Sequence, residues 1–125
     1  MATINATTVL IGTKDFSTRK FTWETMTTAN DIGNPISFTE WADRSIHVTG
    51  TFGAGGNLAW EGSNDAGTSW YVLKDPQGTD LDIGATTIEA IMEITELARP
   101  HLTGGDGTTD LDVFVVVRRP NNMRT

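Results

Sequence analysis

Apolar and polar positions alternate with a period of two through the middle of this chain. In residues 45–52, Ile46, Val48 and Phe52 alternate with His47, Thr49 and Thr51, the pattern of a strand with one face in a core and the other in water. Leu58 and Trp60 repeat it, and Trp70, Tyr71, Val72 and Leu73 form a third apolar run. Two turn-rich segments separate the runs, Gly53-Ala54-Gly55-Gly56 and Ser63-Asn64-Asp65-Ala66-Gly67-Thr68. Glycine reaches positive φ without a side-chain clash, and Asn and Asp bond back to their own backbone. Residues 45–73 are therefore expected to form three consecutive antiparallel strands, with the rest of the chain packed against them.

The flanking segments continue the strand pattern. Residues 2–13 hold Ile4, Val9, Leu10 and Ile11 among threonines, a β-prone composition without helical period. A first core strand and an arm that adds to a neighbouring subunit's sheet edge both fit it. Phe21, Trp23 and Met26 predict a strand in residues 16–26, residues 27–35 read as a loop, and residues 36–38 are a short extended piece. Residues 39–44 fit a single turn capped by Thr39. Lys74-Asp75-Pro76-Gln77-Gly78 is a turn with Pro at a fixed φ and Gly closing it, followed by a short strand with Leu81 and Ile83 on one face.

Residues 86–97 are ambiguous. Ile88, Ala90, Met92 and Ile94 alternate as in a strand, whereas Ile88, Ile91 or Met92, and Thr95 fit a helical face. A strand to about Met92, a turn and a second strand over residues 97–102 is the preferred reading, with a short helix as the alternative. Gly104-Gly105-Asp106-Gly107 marks the last turn, and residues 111–118 form a final strand apolar enough to lie centrally in a sheet. The expected fold is a single-domain, all-β antiparallel sandwich or jelly roll with at most one short helix. Its parts are an extended N-terminal arm at 1–14, the sandwich at 15–119 and a C-terminal tail at 120–125.

Ser63-Asn64-Asp65-Ala66-Gly67-Thr68-Ser69-Trp70 resembles the Asp-box, Ser-x-Asp-x-Gly-x-Thr-Trp, with Ser69 in place of Thr. The motif staples hairpins in sialidases and many unrelated β-proteins. The resemblance implies that Ser63 and Asp65 cap backbone amides, Gly67 takes the left-handed turn and Trp70 packs beneath. It occurs once here, and its implied role is structural.

Composition narrows the chemistry. With 125 residues and no cysteine, the chain suffices for one domain, and disulfides, thiolate metal sites and cysteine nucleophiles are excluded. The net charge of −7 argues against a nucleic-acid footprint, which needs clustered Lys and Arg. Charge is uneven: between Gly56 and Asp112 only Lys74 and Arg99 offset the acids, whereas Arg118, Arg119 and Arg124 follow with no acid. No apolar run approaches the roughly 20 residues that span a bilayer, so no membrane partner is expected. The N-terminus lacks the basic start and apolar core of a secretory signal, which predicts synthesis and folding in a cytoplasm.

Catalytic signatures are missing. Ser63 is not in a Gly-x-Ser-x-Gly elbow, and His47 and His101 have no neighbours at metal-ligand spacing. Gly104-Gly105-Asp106-Gly107 approaches the calcium nonapeptide, but its aspartate is out of step. Asp106, Asp110 and Asp112, like Asp75, Asp80 and Asp82, read as solvated acids rather than a calcium site. No cofactor or metal and no enzymatic activity are expected. Four tryptophans raise a carbohydrate-binding alternative. Trp60 and Trp70 have core explanations, which leaves Trp23 and Trp41 as the candidate sugar platforms.

Taken in order, Gly50-Thr51-Phe52-Gly53, Glu61-Gly62-Ser63-Asn64-Asp65, Asp75-Pro76-Gln77-Gly78, Arg99-Pro100 and Thr103-Gly104-Gly105-Asp106-Gly107 resemble the capsid decoration (cement) proteins of tailed bacteriophages. The resemblance covers residues 41–118. It implies a β-sandwich that trimerises and sits on the outer head surface where major capsid proteins meet, made in the host cytoplasm and carried on the virion. It supplies no catalytic residues. The structural turns are then Ser63, Asp65, Gly67, Trp70, Gly104 and Gly105. Candidate capsid or intersubunit contacts are Ile4, Val9, Leu10 and Ile11 in the arm and Arg118, Arg119 and Arg124 at the other end. A tail or baseplate component and a glycan-binding module are the alternatives.

Overall fold

β-branched and aromatic side chains fill the long apolar runs, and those runs are the strands. The computed structural model describes residues 3–10 and 17–119. In chain order the strands are β1 (Thr3–Ile4), β2 (Thr7–Leu10), β3 (Thr18–Met26), β4 (Ile32–Gly33), β5 (Ile36–Ser37), β6 (Asp43–Thr51), β7 (Asn57–Ser63), β8 (Tyr71–Val72), β9 (Asp82–Ile83), β10 (Thr87–Ala90), β11 (Leu97–Thr103) and β12 (Asp110–Arg118). They form two sheets. One has five strands in the order β10-β6-β12-β3-β2; the other has seven, with β1-β4-β11-β7-β8 as its path, β5 beside β11 and β9 beside β7. No helix occurs among the described residues, and the segment read as strand or helix is strand β10 followed by an irregular crossing. The all-β sandwich expected from the sequence is the observed fold.

One expected pairing is corrected. β6 and β7 do not form a hairpin: β6 lies between β10 and β12 in the five-stranded sheet, and β7 lies between β11 and its short partners in the other. Both edges of β6 are taken by strands distant in sequence, so the chain must leave that sheet at residues 52–56 and enter the opposite one. Gly53 and Gly55, both at φ +71, turn this corner. β7 and β8 do pair antiparallel, through Glu61–Val72 and Gly62–Tyr71.

β12 is the centre of its sheet, as its apolar sequence predicts. Leu111, Val113, Val115 and Val117 are fully buried, and alternate residues face outward. Opposite it, β3 carries an extra residue: Leu111 pairs with Met26 but Val113 pairs with Trp23. Thr25 takes φ +60 there, and its N–H donates to the Asp112 carboxylate at 3.0 Å. This bulge turns Trp23 and Met26, three positions apart, into the same core, where strict alternation would expose one of them.

Between the sheets Trp60 meets Trp23 and Phe38 edge-on, each at 5.7 Å between ring centres, a geometry aromatic quadrupoles favour. Trp23 and Trp41 are 0 % and 4 % exposed. The expectation that they could stack on a sugar is thus corrected: both are spent in the core. Pro100 lies inside β11 opposite Trp60, where the other flank passes from β5, paired at Leu97 and Ala98, to β4, paired at His101. Its missing N–H falls at that break in the ladder. A Cβ on Gly33 would lie 2.6 Å from the Pro100 ring and 2.7 Å from Trp23, so only glycine fits there.

The side of the sandwich formed by β8 and β10 is closed by residues 91–95, which cross from one sheet to the other. The Ile91 N–H donates to the Arg44 carbonyl and the Met92 N–H to the Lys74 carbonyl. Arg44 returns the hold by donating to the carbonyls of Trp41, Ile91 and Met92, and burial lowers its pKa from the usual value. Ile91 fills the core, whereas Ile88, Met92 and Ile94 point to solvent. The alternating apolar face read from the sequence therefore faces outward: β10 is an edge strand, and the crossing buries the one isoleucine out of phase with it.

Candidate interaction surface

The hairpin turn between β7 and β8 is assembled from the Asp-box residues. The Ser63 hydroxyl donates to Asp65 Oδ1 at 2.8 Å and accepts from the Gly67 N–H at 2.9 Å. The same Asp65 oxygen accepts from the Ser69 N–H at 2.8 Å, and these bonds, that from the Ser69 amide first, hold the carboxyl below the usual carboxylate pKa. Gly67 is at φ +89. The indole N–H of Trp70 donates to the Gly67 carbonyl. The turn is tied to the approach to β11 as well, since Asn64 accepts from the Glu96 N–H and Glu96 from the Ala66 N–H.

At the opposite end of β7 the corner at residues 52–56 interlocks with the loop before β12. Gly104 and Gly105 take φ +66 and +93. Asp106 accepts from the Thr108 hydroxyl and N–H with one oxygen and from the Ala54 N–H with the other. Those bonds, the Thr108 hydroxyl foremost, lower its pKa to about 2. Thr109 donates to the Phe52 carbonyl and accepts from the Asp106 N–H. Asp106 is thus occupied as a backbone cap and Asp112 as the cap of the β3 bulge. Among the described residues no three His, Asp or Glu side chains converge as metal ligands.

Outward on the seven-stranded sheet, Glu61 sits between Arg99 and His101, at 3.0 Å from each. The Arg99 guanidinium lies 4.1 Å from the centre of the Trp70 ring. Trp70, expected beneath the turn, is half-buried and stacked under this cation. His101 has no ligand-spaced neighbour in the sequence, and its partner Glu61 is fixed only by the β7–β11 register, which pairs Arg99 with Glu61 and His101 with Ala59.

The expected contact residues lie apart from one another. Ile4 is half-buried against the core, Val9 is 44 % exposed on the outer face, and Leu10 pairs with Arg19 in the ladder. Over 3–10 the chain pairs with its own sheets: β1 runs parallel to β4, and β2 antiparallel to β3. Arg118 is ion-paired with Asp43 through Nε at 3.0 Å, and Arg119 with Glu40 at 2.9 Å while lying over Trp41. These pairs are exposed, a setting in which ion pairs contribute little and exchange partners readily. Ile11, Arg124, the rest of the expected arm and the tail lie outside the described residues.

The most prominent solvent-facing apolar groups are elsewhere. Tyr71 on β8, Ile88 on β10, and Met92 and Ile94 in the crossing are 73, 64, 56 and 53 % exposed; Ile88 is on the outer face of the five-stranded sheet, paired with His47, and Tyr71 belongs to the other sheet, paired with Gly62. Acidic groups border them: Glu89, Asp80 and Asp82 line a shallow cleft beside β10, and Glu93 accepts from the Lys74 N–H nearby. No known family model matches the chain, and no curated protein matches it.

Proposed function

We propose that this chain is a structural protein of a tailed bacteriophage virion. It acts as a capsid decoration protein, trimeric on the outer head surface, bridging contacts between major capsid proteins. The observation that carries the reading is the exposure of four large apolar side chains, Tyr71, Ile88, Met92 and Ile94, on a framework whose polar turns are already consumed in holding themselves. Many weak contacts of this kind gain strength by repetition over a lattice. The residues that carry the sequence resemblance support it as well. Gly50-Thr51-Phe52-Gly53 and Thr103-Gly104-Gly105-Asp106-Gly107 fall in the two interlocked loops, Glu61-Gly62-Ser63-Asn64-Asp65 in the hairpin and Arg99-Pro100 at the ladder break. In this reading the protein adheres and does not catalyse.

The test is electron microscopy of native particles, with the protein followed by mass spectrometry through separated heads and tails. Density on the head surface at capsomer contacts is the expected result. Recovery with tails alone would move the assignment to a tail or baseplate component, and absence from purified virions would refute both.

A further inference from the structure

The five-stranded sheet has two open edges of opposite chemistry. Among the described residues β10, Thr-Ile-Glu-Ala, pairs only with β6, and β2, Thr-Thr-Val-Leu, pairs only with β3. Each edge is four residues long. Every neighbouring pair in the sheet is antiparallel, so β10 and β2, four steps apart, run in the same direction. On the outer face β10 presents Ile88 and Ala90 and β2 presents Thr7 and Val9, because Ile88 pairs with His47, His47 with Phe114, Phe114 with Thr22 and Thr22 with Thr7. On the inner face β10 carries Glu89, beside Asp80 and Asp82. At the β2 end the inner face carries Arg19, next to Leu10. Arg19 shares a groove with Arg119 and Glu40, and its Nε is buried without an acceptor among the described residues.

We infer that the occupant of the β10 edge is a second copy of this chain, whose β2 adds to it in parallel, head to tail. With the outer faces aligned, Val9 of one copy lies beside Ile88 of the next, and Leu10 beside Glu89. That leaves Glu89 and Arg19 on the same face with one strand between them, two strand spacings or about 9.6 Å from backbone to backbone, a distance the two side chains span by reaching toward each other across Leu10. The two-fold alternatives lack this match: β10 against β10 sets Glu89 toward Glu89, and β2 against β2 joins two strands without a charged residue and brings no β10 carboxylate toward Arg19. Edge strands left uncovered invite such addition. A head-to-tail contact leaves each copy one free β10 and one free β2, so it repeats into a ring or a filament. The inference rests on the self-association in the proposed function and not on the capsid.

Sedimentation of the purified chain should show species larger than a dimer. Glu89→Arg and Arg19→Glu should each abolish them while leaving the far-UV circular dichroism unchanged, and the double variant should restore them. Because the chain has no cysteine, a second measurement does not depend on how the Arg19 variant folds. Val9→Cys mixed with Ile88→Cys should form a disulfide-linked pair under mild oxidation, and neither variant alone should do so. A monomeric wild type, a strict dimer, linkage within the single-variant samples, or a double variant that stays dissociated would overturn the inference. None of these results depends on whether the protein is found on heads.

Discussion

Thr109→Val tests whether the interlocked loops hold the two sheets in register at the corner after β6. Thr109 is 3 % exposed, and its hydroxyl bridges the Phe52 carbonyl at 2.8 Å and the Asp106 N–H at 2.9 Å. Valine has the same shape and removes both bonds, leaving an acceptor on one loop and a donor on the other without partners. Each half-buried orphan costs about 1.5 kcal/mol, and the added methyl returns about 0.8 kcal/mol, for a net loss of about 2 kcal/mol. For 125 residues the unfolding entropy is about 0.26 kcal/mol/K, so Tm should fall by about 8 °C. Thermal unfolding followed by circular dichroism reads this directly. Thr109→Ser keeps the hydroxyl and loses only a methyl, so it should melt above the valine variant. A valine variant within about 2 °C of wild type, or one that melts above the serine variant, would refute the clasp as a source of stability.

Other expectations follow from named contacts. Gly53→Ala should destabilise more than Gly55→Ala in chemical denaturation: both sit at φ +71, but a Cβ on Gly53 would lie 2.4 Å from Asp106 Oδ1 and Thr109 Oγ1, and one on Gly55 meets nothing within 4 Å. Gly55→Ala should cost about 1 kcal/mol for the backbone alone. Gly67→Val, at φ +89 with only Trp70 and Leu97 near, should cost about 1–3 kcal/mol, and an unchanged Tm would contradict the turn geometry. Asp106 has a folded pKa near 2 against an ordinary 3.8. Its stabilisation should therefore be complete above the higher value and disappear as pH falls through the lower one; Asp106→Asn should flatten the acid limb of a stability–pH curve. Trp23→Ala should cost about 3–5 kcal/mol as a core truncation, and selective loss of a glycan interaction with stability intact would contradict its burial.

What could be read from the chain was what is encoded locally. The Ser63–Trp70 turn, the Asp75 turn with its amide caps on Gln77 and Thr79, and the buried alternation of β12 all depend on residues a few positions apart. The sheet to which each strand belongs does not. Gly53 and Gly55 signal a tight turn, yet a hairpin and a corner between sheets use the same glycine conformations, and only the claims of β10 and β12 on β6 decide between them. Trp23 and Trp41 looked unconstrained because the β3 bulge and the Phe21 ring that cover them are distant in sequence or out of period. The Glu61–Arg99–His101 group was illegible for the same reason. Edge position, which no local period encodes, explains why Ile88, Met92 and Ile94 face water.

The strand at the centre of the five-stranded sheet comes late in the chain. β12 supplies the ladder to both β3 and β6, strands that leave the ribosome long before it and have no direct pairing with each other. During synthesis they wait with an unfilled gap between them, apolar on one side, until Arg118 has emerged. Assembly of that sheet therefore waits for β12, slow in the manner of distant strand pairings, and the interval before it closes is when a chaperone has most to protect.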